Sequence, residues 1–100
     1  MVGRPISLSE LRDHRSEILS AAARRGARDL RVFGSVARGA ARSDSDLDLL
    51  ATFEPTSSLL DLGALKAELE DLLGCEVDLL SEAGLRPDFR REVLGEAVPL

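Results

Sequence analysis

The sequence predicts an α+β fold, an α/β sandwich in which helices pack on a small mixed β-sheet. Helical and strand patterns alternate along the chain in the order α-β-α-β-α-β-α-β. The 100 residues are enough for one domain with one modest core, so we expect a single domain spanning residues 1–100. Trp and Tyr are absent and Phe occurs only three times, so the core must consist of Leu, Val and Ala.

The first predicted elements are a long helix and a strand. Residues 7–25 read as a helix because Ser7 and Glu10 form a capping-box pattern and apolar residues recur at helical spacing. Gly26 is suited to stop that helix. Residues 29–33 follow as a strand, because their apolar side chains alternate with polar ones.

The next predicted elements are a short helix over residues 35–41 and a strand over residues 46–53. The helix begins at a Gly-Ser turn, and Gly39 lets it end. Glu54-Pro55 ends the strand. Asp44 is in phase with the strand but lies at its entrance, where it could equally cap or form a salt bridge.

Three more elements complete the prediction. Ser57 or Ser58 opens a helix whose leucines form an apolar stripe, and Gly74 caps it. Residues 75–80 read as a third strand. Pro87 suits the first turn of a last helix that ends at Gly95, and residues 97–98 add a short edge strand.

Charge and composition exclude several classes of function. The net charge is −5, although residues 1–42 hold nine arginines against four acids. An acidic chain that lacks Trp and Tyr and has only three Phe is not expected to bind nucleic acid in general. The single cysteine, Cys75, fits a reducing cytoplasm, and no apolar run approaches the roughly 20 residues of a membrane span.

Three aspartates are predicted to share one face of the sheet. Asp46 and Asp48 are two residues apart in a strand, so their side chains point the same way while Leu47 and Leu49 enter the core. Asp78 has the same phase in the third strand and joins them if the two strands are neighbours. Neighbouring carboxylates repel, and protonation, water or a bound cation relieves that repulsion. Such a cluster can hold two metals, or can hold one metal and deprotonate an attacking hydroxyl.

A phosphate-binding turn is predicted where the first strand becomes a helix. Gly34 lets the backbone approach a ligand closely, and the Ser35 hydroxyl can add a bond to a phosphate. Arg38 and Arg42 follow within reach of a phosphate or of leaving pyrophosphate. Carboxylates and a triphosphate together form an oxygen-only donor set, which suits Mg²⁺ or Mn²⁺.

The combined motifs resemble the nucleotidyltransferase superfamily that includes DNA polymerase β. More closely, the chain resembles the minimal nucleotidyltransferases, the MNT or MntA-like group. The specific part of the resemblance is VFGSVARGAARSDSDLDLL at residues 32–50, with VDLL at residues 77–80. The resemblance extends over nearly the whole chain and implies the polymerase β-like nucleotidyltransferase fold.

The resemblance also implies a role for each motif residue. Gly34 and Ser35 match the phosphate-binding turn, and Asp46 and Asp48 match the metal ligands. Asp78 matches the third carboxylate, which can complete the metal site and serve as the general base. The implied reaction is attack on the α-phosphorus of ATP with Mg²⁺ as cofactor, while Ser35 and Arg38 stabilise the leaving pyrophosphate.

The resemblance further implies a protein partner. Larger family members carry a second, helical domain for the substrate, and the sequence shows none. Minimal nucleotidyltransferases are often encoded beside a HEPN-domain toxin, and they act as its antitoxin by transferring AMP to a toxin tyrosine. We therefore expect a hetero-oligomer with such a toxin. Two alternatives stay open, an antitoxin that acts by binding alone and a nucleotidyltransferase that acts on a small molecule such as an aminoglycoside.

Overall fold

Helices and strands alternate along residues 6–42 and 46–100, the part of the chain that the computed structural model describes. The elements of this part are α1 Leu8–Asp13, α2 Arg15–Arg24, β1 Ala27–Phe33, α3 Gly34–Ala37, β2 Leu47–Phe53, α4 Leu59–Leu73, β3 Val77–Ser81, a 3₁₀ turn Glu82–Gly84, α5 Pro87–Glu96 and β4 Val98–Pro99. None of these helices has the length and apolar composition needed to cross a membrane.

The four strands form one mixed sheet in the order β3-β2-β1-β4. β1 runs antiparallel to both β2 and β4, whereas β2 and β3 are parallel. Parallel neighbours need a crossover connection, and α4 supplies it between β2 and β3. The prediction of a small mixed sheet with helices packed on it is therefore confirmed.

The first face of the sheet carries the main hydrophobic core. Leu47 and Leu49 of β2 point into this core, as the strand phase predicts, and Val77 and Leu79 of β3 lie beside them. The helices α1, α2 and α4 cover this face with Leu11, Ile18, Ala22, Leu65 and Leu69. The leucine stripe of α4 is therefore core packing.

The second face is covered only in its middle. Leu50 of β2 and Phe33 of β1 are buried there against Val93 of α5, and Leu80 packs against the same cluster. This is the face that the sequence predicts for the three aspartates, and α5 covers its central part. Asp48 and Asp78 lie near the N-terminal ends of β2 and β3, and Asp48 is opposite Phe33 of this cluster.

Three helix boundaries differ from the prediction. The first helix is divided at His14, whose N–H bonds to the Leu11 carbonyl at 3.1 Å while its own carbonyl receives the Ile18 N–H at 2.9 Å. The helix at the Gly-Ser turn spans only Gly34–Ala37, because the chain turns at Gly39 with a left-handed φ of 71°. The last helix passes through its glycine and ends where Ala97 turns extended.

The remaining helix ends follow the sequence signals. Ser58 caps α4 through a reciprocal capping box with Asp61, and Gly74 ends it in the left-handed conformation. Pro87 occupies the first turn of α5. Cys75, the first residue of the predicted third strand, is half-buried and lies two residues before β3.

One carboxylate ties α4 to the start of β3. Glu70 Oε2 accepts hydrogen bonds from Lys66 Nζ at 2.7 Å and from the Val77 N–H at 3.0 Å. These two bonds lower the pKa of Glu70. A folded-state pKa below the unfolded value contributes stability above the unfolded pKa, and that stability is lost as the pH falls through the folded pKa.

We therefore expect Glu70→Gln to lower the free energy of unfolding near neutral pH, and the difference from wild type to shrink below pH about 4. Urea unfolding at several pH values measures this difference. Asp71→Asn, an exposed acid on the same helix, is the control and should shift the curve little. A Glu70→Gln deficit that does not change with pH would show that the ionised carboxylate does not supply the stabilisation.

Candidate active site

A glycine joins β1 to α3 and lies against a carboxylate. Gly34 has a φ of 72°, a left-handed conformation that L side chains rarely adopt. A Cβ atom built at this position would collide with the carboxylate of Asp48, so the position also leaves no space for a side chain. The predicted phosphate turn and the predicted D-x-D motif therefore meet in space at this residue.

The register of the sheet brings the predicted acids together. Phe33, the last residue of β1, is opposite Asp48, and Asp48 is in turn the Cα partner of Asp78 across the parallel strands. The second and third strands are neighbours, which meets the condition under which Asp78 joins the other acids. Asp46 immediately precedes β2 rather than beginning it, and it is exposed, as is Asp78.

The charges of this cluster act on Asp48. Partial burial raises the pKa of the Asp48 carboxyl, and the negative charges of Asp78 and Asp46 raise it further. Arg38 opposes this effect, and Glu96 adds to it. The ionised Asp48 is therefore disfavoured in the protein alone, and a bound cation would relieve the cost.

The donor chemistry fits a divalent cation of the Mg²⁺ or Mn²⁺ type, since the cluster offers only carboxylate oxygens. Within residues 6–42 and 46–100, no three acidic, histidine or cysteine side chains are already arranged as a metal site. Asp46 and Asp78 are exposed, so their side chains can turn toward a cation without disturbing the core.

The other predicted site residues lie on α3 and the loop after it. Ser35 is half-buried next to Gly34, and Arg38 is exposed just after the helix. Arg42 lies farther along the loop and is exposed. Asp44 lies outside the described residues.

One residue at this site was missed by the sequence analysis. Glu96, the last residue of α5, accepts a hydrogen bond from the Gly34 N–H at 3.0 Å. Its second oxygen is 3.4 Å from Nη1 of Arg38. No local motif marks this residue, because only the packing of α5 across the sheet brings it to the turn.

Comparison with known proteins gives one consistent result. The model of the nucleotidyltransferase domain family matches residues 11–100. A relative from Thermococcus cleftensis, named protein adenylyltransferase MntA, is 42% identical over 90 residues, which is 90% of this chain and 88% of the relative.

Similar solved structures agree with the match to the nucleotidyltransferase domain family. A structure described as a minimal nucleotidyltransferase is 57% identical with a TM-score of 0.86, and the match covers 95% of this chain and 97% of that one. A complex of tri-AMPylated Shewanella oneidensis HEPN toxin with MNT antitoxin contains a chain of the same fold, with 16% identity and a TM-score of 0.67. That match covers 88% of this chain and 69% of the other.

Proposed function

Because this chain belongs to the nucleotidyltransferase domain family, we propose that it transfers AMP from ATP to a tyrosine of a partner HEPN-domain toxin and thereby acts as an antitoxin. The observation that carries the proposal is the meeting of Asp48 with the Gly34 turn, with Asp78 in register on the next strand. The groups that we assign to phosphate binding are therefore directly beside acids that could hold a cation.

The turn and its arginine are suited to bind the triphosphate. The Gly34 N–H points out of the turn, where it donates a hydrogen bond to a carboxylate oxygen of Glu96. The Ser35 hydroxyl and the Arg38 guanidinium lie on the following turn of chain and can donate to phosphate oxygens. We assign these groups to the β- and γ-phosphates and to the pyrophosphate that leaves.

The carboxylates are suited to hold the cofactor. We assign Asp46 and Asp48 as the ligands of a divalent cation, with Asp78 as a further ligand or as general base. A bound Mg²⁺ or Mn²⁺ supplies charge neutralisation for the triphosphate and makes the α-phosphorus more electrophilic. The negative charges of Asp78 and Asp46, which add to partial burial in raising the pKa of Asp48, support a cation at this place.

The transfer is a displacement at phosphorus. The tyrosine oxygen of the toxin forms a bond to the α-phosphorus while the bond from that phosphorus to the bridging oxygen of the β-phosphate breaks. The phenolic proton passes to the Asp78 carboxylate, which is exposed at the mouth of the site. Pyrophosphate leaves with its new charge facing Ser35 and Arg38.

Two similarities support a protein acceptor. The 42% identical relative carries the name protein adenylyltransferase, and it matches nine tenths of this chain. The Shewanella oneidensis complex unites a chain of the same fold with an AMPylated HEPN toxin. We infer the same class of partner for this chain, and ATP as the nucleotide.

The proposal predicts AMP transfer in a purified system. The protein should add one or more AMP units to a cognate HEPN-domain toxin when both are incubated with ATP and Mg²⁺, and none when EDTA is present. Intact-mass spectrometry of the toxin measures the gain, and an aminoglycoside in place of the toxin tests the small-molecule alternative. An unchanged toxin mass, with Mn²⁺ also tried, would rule out the adenylyltransferase assignment.

A further inference from the structure

An acidic side chain already occupies the donors that we assign to the triphosphate. The two oxygens of Glu96 bind the Gly34 N–H at 3.0 Å and the Arg38 guanidinium at 3.4 Å. The carboxylate oxygens thus accept from the Gly34 N–H and the Arg38 guanidinium, the same two donors that would bind a phosphate group. Glu96 comes from the end of α5, which lies more than 50 residues after the turn in sequence.

The backbone that carries Glu96 is held on both sides. Val93, one turn earlier in α5, is buried against Phe33, the residue before the Gly-Ser turn. Just after α5, Val98 pairs with Val32 in the sheet. The Glu96 side chain itself is 38% exposed, so it can leave Gly34 by rotating into solvent while the backbone stays in place.

Glu96 and a triphosphate cannot occupy the turn together. Both are anions, and like charges a few ångströms apart repel each other. The site already contains Asp48, whose carboxyl is close enough to feel the charge of Glu96. The gain from binding a phosphate at Gly34 is therefore reduced by the loss of the Glu96 bonds.

We propose that Glu96 competes with the nucleotide for the Gly34 turn and so sets the affinity for the triphosphate. In the nucleotide-free enzyme Glu96 holds the turn and Arg38; when phosphate oxygens bind, its side chain rotates away. The apparent affinity is then lowered by the fraction of molecules in which Glu96 occupies the turn. The return of Glu96 also favours release of pyrophosphate. This role rests on the proposed function, since it requires a triphosphate at Gly34.

The test compares two alanine variants of the same helix. Glu96→Ala should bind a non-hydrolysable ATP analogue with Mg²⁺ about 3- to 10-fold more tightly than wild type, the range expected for losing one charge-assisted bond and one partly exposed ion pair. Glu92→Ala, an exposed glutamate one turn earlier, should leave the dissociation constant unchanged. Isothermal titration calorimetry gives the constants.

A second measurement follows the turn itself. The amide resonance of Gly34 in ¹H–¹⁵N spectra should move when Glu96 is replaced, and in wild type it should move when the analogue is added. The same spectra report whether each variant is folded. Because Glu96 is exposed at a helix end, we expect the fold to be retained.

The outcomes separate this role from the proposed function. Equal analogue affinity in wild type and Glu96→Ala overturns the competition and leaves the triphosphate site intact. Weaker binding by Glu96→Ala also overturns it, because Glu96 would then assist the nucleotide. A lack of binding by both proteins overturns the triphosphate site together with the role of Glu96.

Discussion

The double substitution Asp46→Asn and Asp48→Asn should lower AMP transfer to the toxin by roughly a thousandfold or more, since a catalytic metal lowers the activation barrier by several kcal/mol. The variant keeps the size and shape of both side chains but removes the charge that would hold the cation. Initial rates of toxin modification, followed by mass spectrometry, measure the loss. Asp88→Asn, an exposed acid at the start of α5, should leave the rate unchanged.

Unfolding does not account for this expected loss. Ionised Asp48 is disfavoured in the folded protein, which raises its pKa, so stability falls as the pH rises through the carboxyl range. Removing the charge should therefore leave the variant at least as stable as wild type near neutral pH. Mg²⁺ or Mn²⁺ should raise the Tm of wild type and not that of the variant. Wild-type rates in the variant would contradict the metal assignment.

The same variant separates modification from binding. If it no longer adds AMP but still neutralises the toxin fully, the antitoxin acts by contact alone. If both properties are lost while the two proteins still co-purify, neutralisation depends on AMP transfer. Co-purification therefore has to be measured together with toxicity.

Gly34→Ala should have the second-largest effect, because the position combines two constraints. A left-handed φ costs an L residue about 1–2 kcal/mol, and the added methyl group would also push the Asp48 carboxylate away. We expect the free energy of unfolding to fall by at least that amount and AMP transfer to fall by roughly a hundredfold, as a misplacement of about 1 Å can cause. Denaturant unfolding and initial rates measure the two effects.

Gly39→Ala is the matched control for this substitution. Gly39 has nearly the same φ, 71°, but a Cβ atom there would meet nothing within 4 Å. The control should therefore show the conformational cost and little loss of activity. Equal loss of activity in both variants would mean that contact with Asp48 is not what makes Gly34 necessary.

Local pattern was sufficient to predict most of the elements and the shared face of the acids. A period of two fixes which way Asp48 and Asp78 point, and caps such as Ser58 and Gly74 mark where a helix begins or ends. The sequence alone did not predict that β2 and β3 are adjacent in the sheet, because strand order depends on how α4 crosses the sheet.

Features that depend on distant contacts could not be predicted in this way. Val93 of α5 buries Leu50 on the face of the sheet that also carries Asp48. Which face α5 covers depends on the packing of the whole helix and not on a local pattern. Glu96 reaches Gly34 only because of this packing. The break at His14 is a single non-helical residue within an apolar pattern that continues across it, so periodicity does not reveal it.

The two edges of the sheet bear on the solubility of the protein. At one edge, β4 has only two residues and ends in Pro99, which has no N–H to offer an approaching strand. At the other edge, β3 exposes Asp78, and Glu70 already takes the Val77 N–H. Charges and missing donors at sheet edges discourage the stacking of strands from separate molecules. The acid that we assign to catalysis thus also puts a negative charge on this edge, which disfavours pairing with a strand of another molecule.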